Sequence, residues 1–206
     1  MMDGGKTSGE DRRREIALGA LGLFLEKGFA GTSMSAVARA VGIRKASLYH
    51  HFASKEELFI AALAADVAAP LERVEALNAQ TGLAANERFA EALGLFHDAM
   101  VGSAIGSLAT VISETSRMVP AVAEAFHDDF IVRFVTSLMR VYEPCVAAGT
   151  HRDLPAVTIH DVVFGPLLST AMTEAMFRRS PRVAEEWRGG RSREDFVRRT
   201  EALLRV

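Results

Sequence analysis

Residues Thr32 to Phe52, TSMSAVARAVGIRKASLYHHF, constrain this chain more than any other stretch. Met34, Val37, Ala38 and Val41 recur at helical spacing and form one apolar stripe. Gly42 follows at once, where a left-handed backbone stops a helix without steric cost. Ile43 packs back under that turn, and Arg44 to His51 make a second short helix with Leu48 inward. Phe52 closes the run as a core plug. Arg44, Lys45, Ser47, Tyr49, His50 and His51 are left facing outward, and no carboxylate occurs between Met34 and Ser54. A helix, a glycine turn and a second helix with an acid-free polar face is the pattern of a helix-turn-helix. Taken alone it also fits two small surface helices with a solvated face.

The flanks decide between the two. An amphipathic helix over Asp11 to Lys27, with Ile16, Ala20 and Phe24 at i, i+4 and i+8, leads into Gly28-Phe29 and the cap residues Thr32-Ser33. Behind the stretch, Ser54-Lys55-Glu56-Glu57 is a capping box that starts another helix. The whole run RREIALGALGLFLEKGFAGTSMSAVARAVGIRKASLYHHFASKEELFIAAL resembles the DNA-binding domain of the tetracycline-repressor (TetR) family. Ile16, Ala20, Phe24, Gly28-Phe29, Thr32, Ala38, Gly42, the Leu48-Tyr49-x-His51-Phe52 block and Ser54-Lys55-Glu56 carry the resemblance, over about a quarter of the chain. One departure is Arg44, which stands where the family usually has a small hydroxyl residue. It cannot cap a helix as serine does, yet it places an arginine at the helix end that meets base edges.

Apolar runs elsewhere keep helical spacing, prolines number only 6, and no stretch alternates with period two, so the fold class is all-α. The expected architecture is an N-terminal three-helix helix-turn-helix domain followed by a helical ligand-binding and dimerisation bundle. Residues 1–9 read as a disordered polar tail, 10–70 as the DNA-binding domain with its motif at 33–52, and 71–206 as the body. Helix four is expected from Ser54 to about Asn78, kinked or broken by Pro70. Body helices follow: one capped by Asn86, one from Gly102 to Met118, a long one from Ala121 to about Ala148, one from Pro155 to about Arg179 and a last one capped by Ser192-x-x-Asp195. Residues 180–191 read as a charged loop.

Charge agrees with a protein that touches DNA at one end. Residues 1–60 hold nine Lys or Arg against seven acids, whereas 61–206 hold fifteen against nineteen, and all four lysines lie at or before Lys55. Cys145 is the only cysteine, which excludes an intramolecular disulfide and a cysteine metal cluster and suits the cytoplasm. The pairs His97-Asp98, His127-Asp128 and His160-Asp161 and the Glu124-x-x-His127 spacing are the only hints of metal chemistry. A di-iron bundle needs Glu-x-x-His twice, and adjacent helix residues diverge by about 100°. No cofactor is expected, and no nucleophile or phosphate-loop motif is present. The competing reading is an all-α enzyme or small-molecule carrier that does not bind DNA. The acid-free Tyr49–His51 face argues against it.

The resemblance implies a homodimeric, ligand-responsive transcriptional regulator, a repressor by expectation, with double-stranded DNA, a second copy and a small effector as partners. Ser47, Tyr49, His51 and Lys55 match family positions that hold the phosphate backbone, with Ser33 beside them. Arg44 and Lys45 are the candidate base readers, and Ser35 and His50 the secondary ones. The implied pocket draws on Phe96, Met100, Met118, Phe126, Phe130, Phe134, Phe164 and Met172. The implied dimer interface draws on Gly165, Ser169, Ala175, Phe196 and Leu203. An acidic, lysine-free body rich in phenylalanine and methionine predicts an apolar or mildly cationic effector, oriented by scattered polar groups such as His97, Glu114, His127 or Glu174.

Overall fold

The computed structural model describes residues 9–80, 82–101 and 105–206. Its elements are α1 (Gly9–Gly31), α2 (Met34–Ala40), α3 (Lys45–His51), α4 (Lys55–Asn78), α5 (Ala85–Val101), α6 (Ile105–Ser116) and α7 (Pro120–Phe126). A π-helical turn at His127–Ile131 leads into α8 (Val132–Ala147), followed by α9 (Ala156–Phe177), α10 (Pro181–Arg188) and α11 (Arg193–Leu204). Among the described residues the only β pairing is an isolated bridge between His151 and Arg205. The expected tail lies outside the described residues up to position 8, and Gly9 already belongs to α1. The expected start of a helix at Gly102 also lies outside them.

The chain divides into two compact units. The first holds the residues up to Val67 together with Val111–His127, and the second holds Ala68–Thr110 and Asp128–Val206.

In the first unit the apolar stripe of α1 is buried as its spacing requires: Ile16, Ala17, Ala20, Leu21 and Phe24 are all inside. Phe24 meets Phe59 of α4 edge to face with ring centres 4.8 Å apart, and Phe29 lies 5.4 Å from the same ring. The α1 path breaks at Gly28, whose φ of 69° only glycine adopts without strain. Buried Thr32 closes that end by donating its hydroxyl to the carbonyls of Gly28 (2.8 Å) and Leu23 (3.2 Å). Gly19 lets α1 lie close against the residue that ends α2, since a Cβ there would stand 2.7 Å from Val41 Cγ1.

In the second unit α5 is the hub and packs on α8, α9 and α11. Phe96 stacks on Phe134 with ring centres 3.9 Å apart, and Phe134 meets Phe164 edge to face at 3.7 Å. Arg193 lies flat over Gly94 and pairs with Glu91 (3.0 Å) and Asp98 (3.4 Å), which fastens the start of α11 to α5. Ser192 caps α11 as its spacing predicts, accepting from Asp195 N at 3.1 Å.

Several expectations are corrected. Pro70 does not break α4, which continues to Asn78. Asn86 lies inside the first turn of α5, and the cap is made instead by Glu87, which accepts from Ala84 N at 3.0 Å. The long helix after Pro120 is divided by the π turn. The charged loop at 180–191 contains α10, which begins with Pro181 in its first turn and is supported by an Arg182–Glu186 pair at 2.8 Å.

Candidate nucleic-acid interface and the body behind it

The turn between α2 and α3 is a Schellman motif. Ile43 N donates to Ala38 O at 2.9 Å and Gly42 N to Arg39 O at 3.3 Å, with Gly42 at φ 70°. This geometry fixes the direction in which the chain leaves α2. Ser33 caps α2 by accepting from Ala36 N at 3.2 Å. Arg44 occupies the N-cap of α3 without a side-chain bond, the consequence of an arginine standing where a hydroxyl caps best. Leu48 and Phe52 are fully buried and anchor α3 from beneath.

Opposite that anchor, Arg44, Lys45, Tyr49 and His50 are exposed, and Ser47 and His51 are half-buried. Ser33 and Ser35 are exposed at the start of α2. Lys45 Nζ stands 5.8 Å from the centre of the Tyr49 ring. No carboxylate pairs with Arg44 or Lys45 among the described residues. Lys55 is turned differently: its ammonium donates to Phe29 O at 2.8 Å and lies 4.2 Å from the centre of the Phe29 ring. It therefore ties α4 to the end of α1 in this conformation.

The residue that sequence reasoning missed is Arg13, the middle one of three consecutive arginines ahead of the α1 stripe. Its guanidinium donates to the carbonyl of His51, pairs with Glu57 at 2.7 Å and lies 4.2 Å from the centre of the Phe52 ring. One side chain thus joins α1, the end of α3 and the start of α4. Glu57 donates its N–H to Ser54 Oγ (3.1 Å), the first half of the predicted capping box, while its carboxylate accepts from Ala53 N (2.7 Å), one residue before the cap. Arg13, and after it the Ala53 N–H, hold the Glu57 carboxyl below the usual range. Nothing local in the sequence links positions 13 and 57. The only signal is an arginine one turn before a buried stripe.

The expected pocket residues are only partly gathered. Phe96, Phe130, Phe134 and Phe164 form one ring cluster, with Phe130 5.6 Å from Phe134, and Met100 is buried. Met118 is 62% exposed and Met172 37% exposed, so neither joins that cluster, and Phe126 is half-buried in the first unit. The stripes were read correctly as helical, but methionines at helix ends and on outer faces have the same spacing as inner ones.

Of the expected interface residues, Gly165, Ser169 and Leu203 are exposed, Ala175 is half-buried and Phe196 is buried. Ser169, Phe196 and Leu203 line an open groove of about 330 Å³ between α9 and α11, together with Val162, Pro166 and Thr200.

Two of the His-Asp pairs touch, at 3.4 Å for His97-Asp98 and 3.0 Å for His160-Asp161, so the expected divergence of neighbours does not keep them apart. Among the described residues no three His, Cys, Asp or Glu side chains are gathered to hold a metal ion. Burial pushes the Cys145 thiol up to about 11. No helix among the described residues is long and apolar enough to cross a membrane.

Residues 16–62 match the model of the bacterial regulatory proteins of the tetR family. Over 40 residues the chain is 48% identical to the negative transcriptional regulator IcaR of the biofilm operon in Staphylococcus epidermidis, a match spanning 19% of this chain and 22% of that protein. A tetR-family transcriptional regulator from Mesorhizobium loti superimposes with a TM-score of 0.74 at 23% identity, over 98% of this chain and all of that one. The regulator FadR of Bacillus subtilis, solved with stearoyl-CoA, gives 0.70 at 16% identity over 90% of this chain and 96% of that one. A transcriptional regulator from Saccharomonospora viridis, solved with choline, gives 0.71 at 17% identity over 96% and 99%. These structural likenesses establish the fold of the whole chain.

Proposed function

By its head this chain belongs to the tetR family of bacterial regulatory proteins, and we propose that it is a homodimeric, ligand-responsive repressor of transcription in the cytoplasm. The observation that carries this reading is the exposed, acid-free face of α3, set on a Schellman turn and anchored by Leu48 and Phe52. Such a face, with cations, hydroxyls and imidazoles over a buried apolar underside, suits the major groove. Arg44 and Lys45 read base edges, with Ser35 and His50 as secondary readers. Ser33, Ser47, Tyr49, His51 and Lys55 hold phosphates.

Two copies pair through α9 and α11. The exposed apolar side chains Leu168, Met172, Met176 and Leu203 support this face, as does the small-residue surface at Gly165 and Ser169, where helices can approach closely. Pairing there places two α3 helices on one side of a palindromic operator, with half-sites about 34–36 Å apart. The effector is an apolar or mildly cationic small molecule taken up by the body. The phenyl cluster supplies the apolar environment, and solved relatives of this fold hold a fatty-acyl thioester and a quaternary amine. An effector that binds better to the conformation with the wrong half-site spacing releases the DNA by shifting the population. The test is a mobility shift of the purified protein on the DNA flanking its own gene. A retarded complex that competes out only with the same sequence supports the reading, and a protein that retards no DNA at low salt refutes it.

A further inference from the structure

The groove between α9 and α11 combines an apolar lining with charge that its own chain does not balance. Val162, Pro166, Phe196 and Leu203 are its apolar lining, and Arg191 and Arg199 its charged lining. Arg191 donates to the Trp187 carbonyl at 2.8 Å and lies 4.2 Å from the centre of the Trp187 ring. Arg199 is exposed and uses only its Nε, on the Asp195 carbonyl at 3.2 Å. Its two terminal amino groups keep the fork that accepts a carboxylate side on. Among the described residues no carboxylate meets either guanidinium.

The acids of the two helices are engaged elsewhere, with one exception. On α11, Glu194 and Asp195 gather at Ser192, Asp195 also pairs with Arg198, and Glu201 pairs with Arg205 at 2.6 Å. On α9, Asp161 meets His160 at 3.0 Å. Glu174 remains: it is exposed, has no partner among the described residues, and lies one helical turn beyond Thr170, which lines the groove. One face thus carries an unused guanidinium fork and an unused carboxylate. In water neither needs a partner. Buried between two copies, an unpaired arginine is costly, and a twofold contact makes every pairing twice.

We propose that in the homodimer Glu174 of each copy pairs with the partner's Arg199, in two symmetry-related ion pairs that close the groove and set the register of the interface. The proposal rests on the α9–α11 pairing above and deepens it by naming the contact that makes this face specific for a second copy. The course of the helices suits it. Arg152 N donates to Leu204 O and Val206 N to Thr150 O, so the end of α11 lies beside the segment that precedes α9, and α11 runs back along α9. Arg199 stands about 7 Å before the end of α11 and Glu174 about 27 Å past the start of α9, so within one copy they lie at different heights. A twofold axis crossing α9 between those heights, where Leu168 and Met172 are exposed, brings each opposite the other.

Sedimentation equilibrium of the full chain tests this with Arg199→Glu, Glu174→Arg and the double variant carrying both changes. Both positions are exposed, so the substitutions leave the packing within each copy intact. Each single change sets like charges against each other twice and should raise the dimer dissociation constant roughly tenfold or more. The double variant should return to within about threefold of the wild type. Added salt should weaken the wild-type dimer and tighten the single variants. A single variant of unchanged affinity, additive losses in the double variant, or equal rescue of Arg199→Glu by Glu185→Arg on α10 overturns the proposal. Leu203→Glu separates the ion pair from the face that holds it. If Leu203→Glu gives monomers while Arg199→Glu pairs normally, the ion pair fails and the pairing face stands. If Leu203→Glu also pairs normally, the face itself is wrong and the ion pair fails with it.

Discussion

Arg13 is the place where the reading head can be loosened without touching a DNA-facing side chain. Arg13→Ala removes its bond to the His51 carbonyl, its pair with Glu57 and its packing over Phe52. A charge-assisted bond to a part-buried carbonyl contributes about 1.5 kcal/mol. A half-exposed ion pair adds about 0.5 kcal/mol, and a cation–π contact on a partly exposed ring about 0.5–1 kcal/mol. The carbonyl bond and the ring contact are the two that hold the end of α3, which therefore loses about 2–2.5 kcal/mol of attachment, roughly 30- to 70-fold in the local opening equilibrium. Leu48 and Phe52 stay buried, so α3 loosens without leaving the core. The only tryptophan, Trp187, belongs to α10, so its fluorescence does not report on the head. Amide hydrogen exchange of the peptide spanning 44–53 does. Its exchange should quicken by that factor in Arg13→Ala while peptides of α9 stay unchanged. The effect also has a pH signature. Arg13, ahead of the Ala53 N–H, depresses the Glu57 carboxyl, so this stabilisation is complete above the unfolded value near 4.5 and is lost as pH falls through the lower folded value. The gap between wild type and Arg13→Ala should therefore narrow in acid by the ion-pair share alone, about 0.5 kcal/mol, while the share from the His51 carbonyl and the Phe52 ring persists. An acceleration under about threefold at pH 7, or a difference that grows on acidification, would refute the reasoning.

Lys55→Ala should weaken binding to all DNA sequences alike and flatten the dependence of log K on log salt by about one unit. Lost head stability with an unchanged salt slope assigns Lys55 solely to its bond with Phe29 O. Cys145 is buried with its thiol pushed up to about 11, so native protein at pH 8 should not react with an aromatic disulfide until it is unfolded; prompt stoichiometric release of thiolate would contradict that. Leu203→Glu places a charge on an exposed position of the α9–α11 groove. Sedimentation should show a folded monomer with weakened operator binding, and a dimer of normal operator affinity would mean that another face pairs the copies.

The legible parts of this molecule are those set by neighbours in the chain. Gly42 needs a positive φ, Leu48 and Phe52 lie at fixed offsets from it, and Ser54 and Glu57 stand three apart, so the turn, the anchor and the cap could all be read from residue order. Arg13 could not, because its partners lie 38 and 44 residues away and a run of three arginines looks the same whether clamped or solvated. Lys55 shows the same limit in reverse: a long flexible side chain takes the direction its surroundings reward, and Phe29 rewarded an inward one. Proline was over-read as a breaker. Pro70, Pro144 and Pro166 all lie within helices, where packing outweighs the lost backbone bond. The region 180–191 was under-read, since Pro181 in a first turn and the Arg182–Glu186 spacing are helix signals that its charge and its glycines obscured. In the body, spacing marked inner faces correctly for Phe96, Phe134 and Phe164 but could not tell that Met118 and Met172 point outward.

The central claim is that the outer face of α3 reads DNA sequence as one half of a symmetric pair. Selection of bound duplexes from a random pool by the full chain, repeated with Arg44→Ala, tests it most directly. The account predicts a palindrome in the wild-type pool, with its half-sites one helical turn apart. In the Arg44→Ala pool one base pair per half-site should lose its preference, by about 1–3 kcal/mol, while the rest of the palindrome persists. A pool with no enriched sequence, or one unchanged at every position by Arg44→Ala, would contradict it.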